Sequence, residues 1–262
     1  MRLDSPWRQH PSYHCSRSTN AACVHYREAL GFLCSHGESV IVTKKALQPL
    51  GDQAVLASFA DETAALRFAL SVRRQQLAWV QDVVLAYTTV AVFFDLDHIN
   101  YAAAAGDLQK VDLPQVIPLP EETCLHSIPC CYEHQLDLAR VAESTGLAAD
   151  EVIRLHAGTV YTVYAIGFCP GFPYLGYLPD LLCGVPRLPA PRLRVEAGSV
   201  GLTGRQTGIY TEPRPGGWNL IGRTPLELVN LVDGYFPLRA GDRVQFVRID
   251  EVEFKALQGQ RL

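Results

Sequence analysis

No long hydrophobic run, no cysteine pair two residues apart, no phosphate-gripping glycine motif and no marked excess of one charge occur in this chain. Each absence excludes a class. The most apolar stretches, such as Val80 to Phe94, are too short and too polar to span a bilayer. A net charge of −4 over 262 residues gives no reason to expect nucleic acid or an anionic membrane as partner. Eight cysteines lie at positions 15, 23, 34, 124, 130, 131, 169 and 183, none in a CxxC pair. No basic stub followed by an apolar segment opens the chain, so free thiols in a reducing, cytoplasmic setting are expected. GxGxxG is absent after any convincing strand, and GxxxxGK[ST] is absent altogether. The standard dinucleotide and P-loop sites are thereby excluded. Glu212, Asp233 and Asp242 have no metal-ligand spacing, so no metal is expected, and no internal repeat is evident.

A hydrophobic content of 48% supports real cores, and the length suffices for two domains of about 100 to 150 residues. Residues 1–38 read as a disordered or atypical leader. They hold four of the eight histidines and three of the eight cysteines without sustained periodicity. A zinc knuckle from Cys15, Cys23, His25, Cys34 and His36 would need spacings that fit no usual finger. Residues 39–122 read as a small α/β domain. Strands are expected at 39–44 and 54–59, a helix over 61–80 capped by Asp61, one or two strands over 83–94, an alanine-rich helix over 97–108 and a strand near Val116. Helices on one face of a mixed sheet follow from that alternation.

Residues 123–262 read as a β-barrel domain. Helices are predicted over 136–144 and 149–156, then a strand over 159–166. Many short strands with Gly-rich connections follow, which is the pattern of a closed or nearly closed barrel. Thr224-Pro225 predicts one further short helix over 226–233. The fold class is α+β.

The densest signal is Gly167-Phe-Cys-Pro-Gly-Phe-Pro-Tyr-Leu-Gly176, a rigid, shaped loop that no helix would tolerate. Arg205-Gln206-Thr207, bracketed by Gly204 and Gly208, joins an anion-gripping fork to an amide that both donates and accepts. The same groups also suit the satisfaction of loop backbone. His156 either caps the C-terminus of its helix or acts as a general base. Trp218 is a pocket wall or a core residue. Cys130, Cys131 and Cys169 read as small hydrophobes without an evident histidine partner. Phe168, Phe172 and Tyr174, held by Pro170 and Pro173, suit burial against a partner.

The loop at Gly167, together with Pro186-Arg-Leu-Pro-Ala-Pro-Arg, Ala197-Gly-Ser-Val-Gly, Gln206-Thr-Gly-Ile-Tyr and Pro215-Gly-Gly-Trp-Asn-Leu-Ile-Gly-Arg-Thr-Pro, resembles the family of the 5-oxoprolinase B subunit and allophanate hydrolase subunit 1 (kinase-inhibitor-like). The likeness runs from about Leu50 to Phe246. It implies a small α/β domain followed by a cyclophilin-like barrel. It also implies an ATP-dependent cytoplasmic complex with C-type and A-type partner subunits that opens 5-oxoproline to glutamate. Inhibition of a sensor histidine kinase and a role in urea or allophanate metabolism are the other activities it implies. Carried to this chain, the resemblance makes His156, Arg205 and Gln206 catalytic, and Thr207, Tyr210, Trp218, Arg223 and Phe168 substrate-binding. Arg205 and Arg223 would hold carboxylate or phosphoryl oxygens, with ATP bound by the complex. One departure is Glu133-His134-Gln135, where many relatives carry a glycine pair.

Overall fold

Two hydrophobic cores organise the chain, one under a four-stranded sheet and one inside a closed barrel. The computed structural model describes residues 45–113 and 124–262. The strands expected over 39–44 and near Val116, and the leader 1–38, lie outside the described residues.

The first core is built by β1 (Ala46–Pro49), β2 (Ala54–Ser58), β3 (Val80–Ala86), β4 (Thr89–Phe94), α1 (Glu62–Gln75) and α2 (Tyr101–Gln109). The Asp61 carboxylate accepts the Ala64 N–H at 2.8 Å, the N-cap that the sequence predicts. Ala65, Phe68, Ala69 and Val72 recur at helical spacing and are buried. Burying Phe68 alone contributes about 2–3 kcal/mol. The helix ends at Gln76, which takes left-handed dihedrals, so the predicted span to Val80 is too long. Val80 instead opens β3. The strands pair antiparallel in the order β1-β2-β4-β3, not as the mixed sheet expected.

Seven strands close the barrel in the order β6-β13-β5-β12-β9-β10-β7, and β7 pairs back onto β6. They are β5 (Leu125–Cys131), β6 (Val160–Ile166), β7 (Pro173–Gly176), β9 (Ser199–Thr203), β10 (Gln206–Ile209), β12 (Asn219–Arg223) and β13 (Arg243–Ile249). Alternate residues enter the core: Ile128 and Cys130, Tyr161 and Val163, Val200 and Leu202, Val244 and Phe246. Helices α3 (Leu138–Thr145) and α4 (Ala149–Ala157) add Val141, Val152 and Ile153 to it. A short ribbon pairs β8 (Arg192–Val195) with β11 (Arg214–Gly216). The four-stranded sheet continues into the barrel where Ala86 of β3 pairs with Ala165 of β6.

Residues 226–233 are not a helix. Thr224 does cap locally, its hydroxyl accepting the Leu226 N–H. Glu227 then pairs with Arg261, and Asn230 bridges to Tyr235, so the backbone is spent on long-range partners. A helix does form where none was predicted, at α5 (Glu251–Leu257), opened by a capping box between Asp250 and Glu253.

Outside the barrel wall lies a third, aromatic cluster of Phe172, Tyr210, Trp218, Leu220 and Cys169. It rests on strand glycines. A Cβ at Gly208 would sit 2.9 Å from the Phe172 ring, and one at Gly201 would sit 3.2 Å from Trp218. Those rows stay bare so that rings can lie on the sheet.

Candidate active site

His156 is fully buried, and its surroundings fix its protonation. Thr207 Oγ1 donates its single hydrogen to the Gly201 carbonyl at 3.0 Å, so it must accept from His156 Nε2 at 2.9 Å. The ring therefore carries its proton on Nε2. Nδ1 accepts from the Tyr132 hydroxyl at 2.7 Å. The Tyr161 hydroxyl holds the His156 carbonyl at 2.9 Å, and the ring stacks 4.6 Å from Phe246. Burial pushes the imidazole down to about 3. Neither ring nitrogen is free to cap the helix, and a general base here would have to act through the Tyr132 and Thr207 hydroxyls. Both ring nitrogens are spent on a relay that crosses the barrel core from α4 to β10.

A pH dependence follows. Unfolded, His156 takes a proton as pH falls through 6.5, whereas the folded form resists it down to about 3. Its contribution to stability is intact above pH 7 and is lost on acidification. Between pH 7 and pH 5 that loss is about 2 kcal/mol. Urea titrations should show a shallower acid slope in His156→Gln. An identical slope would mean that the imidazole is protonated in the fold.

The other expected site residues fall into separate places. Thr207 is interior with His156. Arg205 is exposed at the β9–β10 turn, its guanidinium 4.4 Å over the Tyr177 ring, and the Tyr177 hydroxyl bonds Glu62. Gln206 beside it is half-buried. Arg223 and Tyr210 sit at the other end of the same strands. Ser199 pairs with Arg223 and Thr203 with Gln206, four residues apart along β9, or roughly 13 Å. Arg205 and Gln206 do not line the cavity that Arg223 lines.

Arg223 and Tyr210 do line a common cavity of about 360 Å³. Four motif segments met in the sequence converge there or at its rim: Ala197–Gly198, Tyr210–Thr211, Arg223–Thr224–Pro225 and, through a hydrogen bond, the Gly167 loop. Gly198 is required in this wall. Its φ is +82°, and a Cβ would sit 2.3 Å from the Thr224 carbonyl. Arg223 spends one of its five donors, Nε–H, on the Ala197 carbonyl at 2.9 Å. The Thr211 hydroxyl donates to Pro170 at 2.7 Å and pins the aromatic loop to the rim. Phe168 of that loop is 59% exposed and lies edge-on to Phe172 and Tyr210 at 5.4 and 6.2 Å. Trp218 is buried in the outer aromatic cluster rather than in the barrel core, and it does not line this cavity. Phe254, Gln258 and Gly259, from α5 and the turn after it, complete the far wall, which sequence reasoning missed along with the helix.

Among the described residues all five cysteines are free, and burial raises the thiols of Cys130 and Cys131. No helix of the described residues is long and apolar enough to cross a membrane.

Residues 45–233 match the family model "Carboxyltransferase domain, subdomain C and D". The chain is 34% identical over 229 residues to the 5-oxoprolinase B subunit of Bacillus subtilis, covering 80% of this chain and 95% of the relative. It is 52% identical over 112 residues to the 5-oxoprolinase B subunit of Escherichia coli, covering 42% of this chain and 51% of that one. The crystal structure of TTHA0988 superposes with a TM-score of 0.66 at 32% identity. It covers 76% of this chain, and this chain spans 40% of that longer one. The chain belongs to the carboxyltransferase domain, subdomain C and D, family and is homologous to the 5-oxoprolinase B subunit.

Proposed function

We propose that this chain is the B subunit of a 5-oxoprolinase, and that its barrel-side cavity receives the substrate. The observation that carries the reading is the likeness to the Bacillus subtilis 5-oxoprolinase B subunit, 95% of which is covered. The cavity suits the substrate class. At about 360 Å³ it lies within the range of small-molecule sites. Arg223 offers a planar fork for the substrate carboxylate, and Gly198 lets the backbone come close. The barrel is read as cyclophilin-like on the family resemblance alone; the closed wall supports only the coarser reading of a barrel.

The same residues do not fit ATP. Arg223 is the cation lining the cavity, and Glu227 adds a carboxylate. ATP is therefore bound elsewhere in the complex, with the C-type and A-type subunits as partners. In the net reaction water adds to the lactam carbonyl carbon, the ring C–N bond breaks, and the nitrogen takes the proton to give glutamate. On this account Arg223 holds the substrate carboxylate at a wall that Tyr210 backs, while His156 and Thr207 fix the barrel behind it. Arg205 and Gln206, too far away to share that ligand, act where a partner completes their surroundings.

The test is glutamate release from 5-oxoproline with ATP, measured with the candidate partner subunits, with and without this chain. Release that requires this chain supports the assignment, and equal release without it refutes it. Arg205→Ala should lower activity at limiting partner concentration and recover at saturation. A loss that no excess of partner repairs would place Arg205 at the substrate instead.

A further inference from the structure

We propose that Cys131, His134 and Glu251 form a binding site for a divalent ion of the zinc class, with three protein ligands and one position left for water. The cluster borders the substrate cavity without lining it: Cys131 pairs with Arg223 across β5 and β12, and none of the three side chains is part of the cavity wall. Strands β5 and β13 run parallel, and Cys131 pairs with Ile249 at the end of the ladder. Beyond that register the chain at Tyr132–His134 makes one 3-10 turn, and the chain at Glu251 begins α5. Two adjacent strand ends thus deliver three side chains to one point. One ligand atom from each lies within 4.8 Å of the other two.

The donor set is sulfur, imidazole nitrogen and carboxylate oxygen, which suits zinc and its borderline neighbours rather than magnesium or calcium. His134 Nε2 is shut off from solvent and makes no well-directed hydrogen bond. Glu251 Oε2 lies 2.6 Å from it. A tetrahedral ion between them would open that contact to about 3.4 Å, a small movement for two partly exposed side chains. Glu251 Oε1 is held separately by Lys255 at 3.1 Å, which orients Oε2 inward. The N–H groups of Glu133 and His134 are directed at the Cys131 sulfur. Such donors hold a metal-bound sulfur in place. Phe254 packs 4.4 Å from the His134 ring and also lines the cavity. The ion would brace the wall of that cavity by tying α5 to the barrel.

The experiment uses the full, reduced, metal-free chain, titrated with zinc against a chelating dye and with cobalt(II) as a spectroscopic probe. One equivalent should bind with a sulfur-to-cobalt absorption. Cys131→Ser should lose that equivalent and its absorption. Glu251→Gln should keep the absorption but bind at least roughly tenfold more weakly. Zinc held by Cys15, Cys23 and Cys34 would persist unchanged in both variants, so binding equal to the parent in both overturns the proposal. Should Cys131→Ser fail to fold, unchanged affinity in Glu251→Gln alone overturns it.

Discussion

Replacing Arg223 by alanine is expected to lower kcat/KM of the reconstituted complex for 5-oxoproline by roughly a hundredfold, about 3 kcal/mol of lost charge-assisted contact. The guanidinium is half-buried on the cavity wall, where water screens it less than at the surface. A bidentate carboxylate contact there has no substitute, since no other cation lines the cavity among the described residues. Folding should survive the change. The one hydrogen bond lost within the chain is that to Ala197, worth about 1 kcal/mol. Arg223→Lys should recover only part of the rate, because a point charge cannot make two parallel bonds. Unaltered kcat/KM in a folded, assembled Arg223→Ala complex would remove the cavity from the reaction.

The second large effect is on stability. His156→Leu should cost about 3–5 kcal/mol, a large share of what a domain has to lose. It leaves the Tyr132 hydroxyl without its acceptor in an enclosed core and removes the ring stacked on Phe246. Thr207→Val should cost about 2 kcal/mol, because the His156 Nε2–H then has no acceptor and the Gly201 carbonyl loses a donor. The double variant should cost clearly less than the sum, since removal of the imidazole makes most of the Thr207 loss irrelevant. Strict additivity in urea unfolding would show that the three side chains do not act as one relay.

These two residues mark what can be read from the sequence and what cannot. Local rules find Asp61 as a cap, strand over 83–94 and helices over 136–144 and 149–156 to within a few residues, because those depend on neighbours in the chain. They fail over 226–233, where Thr224-Pro225 has every local mark of a helix start but Glu227 is claimed by the distant C-terminal residues. Strand β5 carries Pro129 inside a central pair, a local mark of a linker, although its parallel register with β13 runs the full length of both. For the site, the motif segments at 197, 210 and 223 stand out one by one. Their convergence, and the distance of Arg205 from it, depend on the β9–β10 and β9–β12 registers, which no spacing rule contains. His156 stands out as a polar group on a helix. Its enclosure is visible only with Tyr132, Thr207 and Phe246 around it.

The central claim, that the cavity beside Arg223 receives the substrate, is tested most directly by a crystal structure of the assembled complex with 5-oxoproline bound. The account predicts the ligand carboxylate within hydrogen-bond distance of the Arg223 guanidinium, in the cavity between Gly198 and α5. A ligand seated instead at Arg205 and Tyr177, with the Arg223 cavity filled only by water, would contradict it.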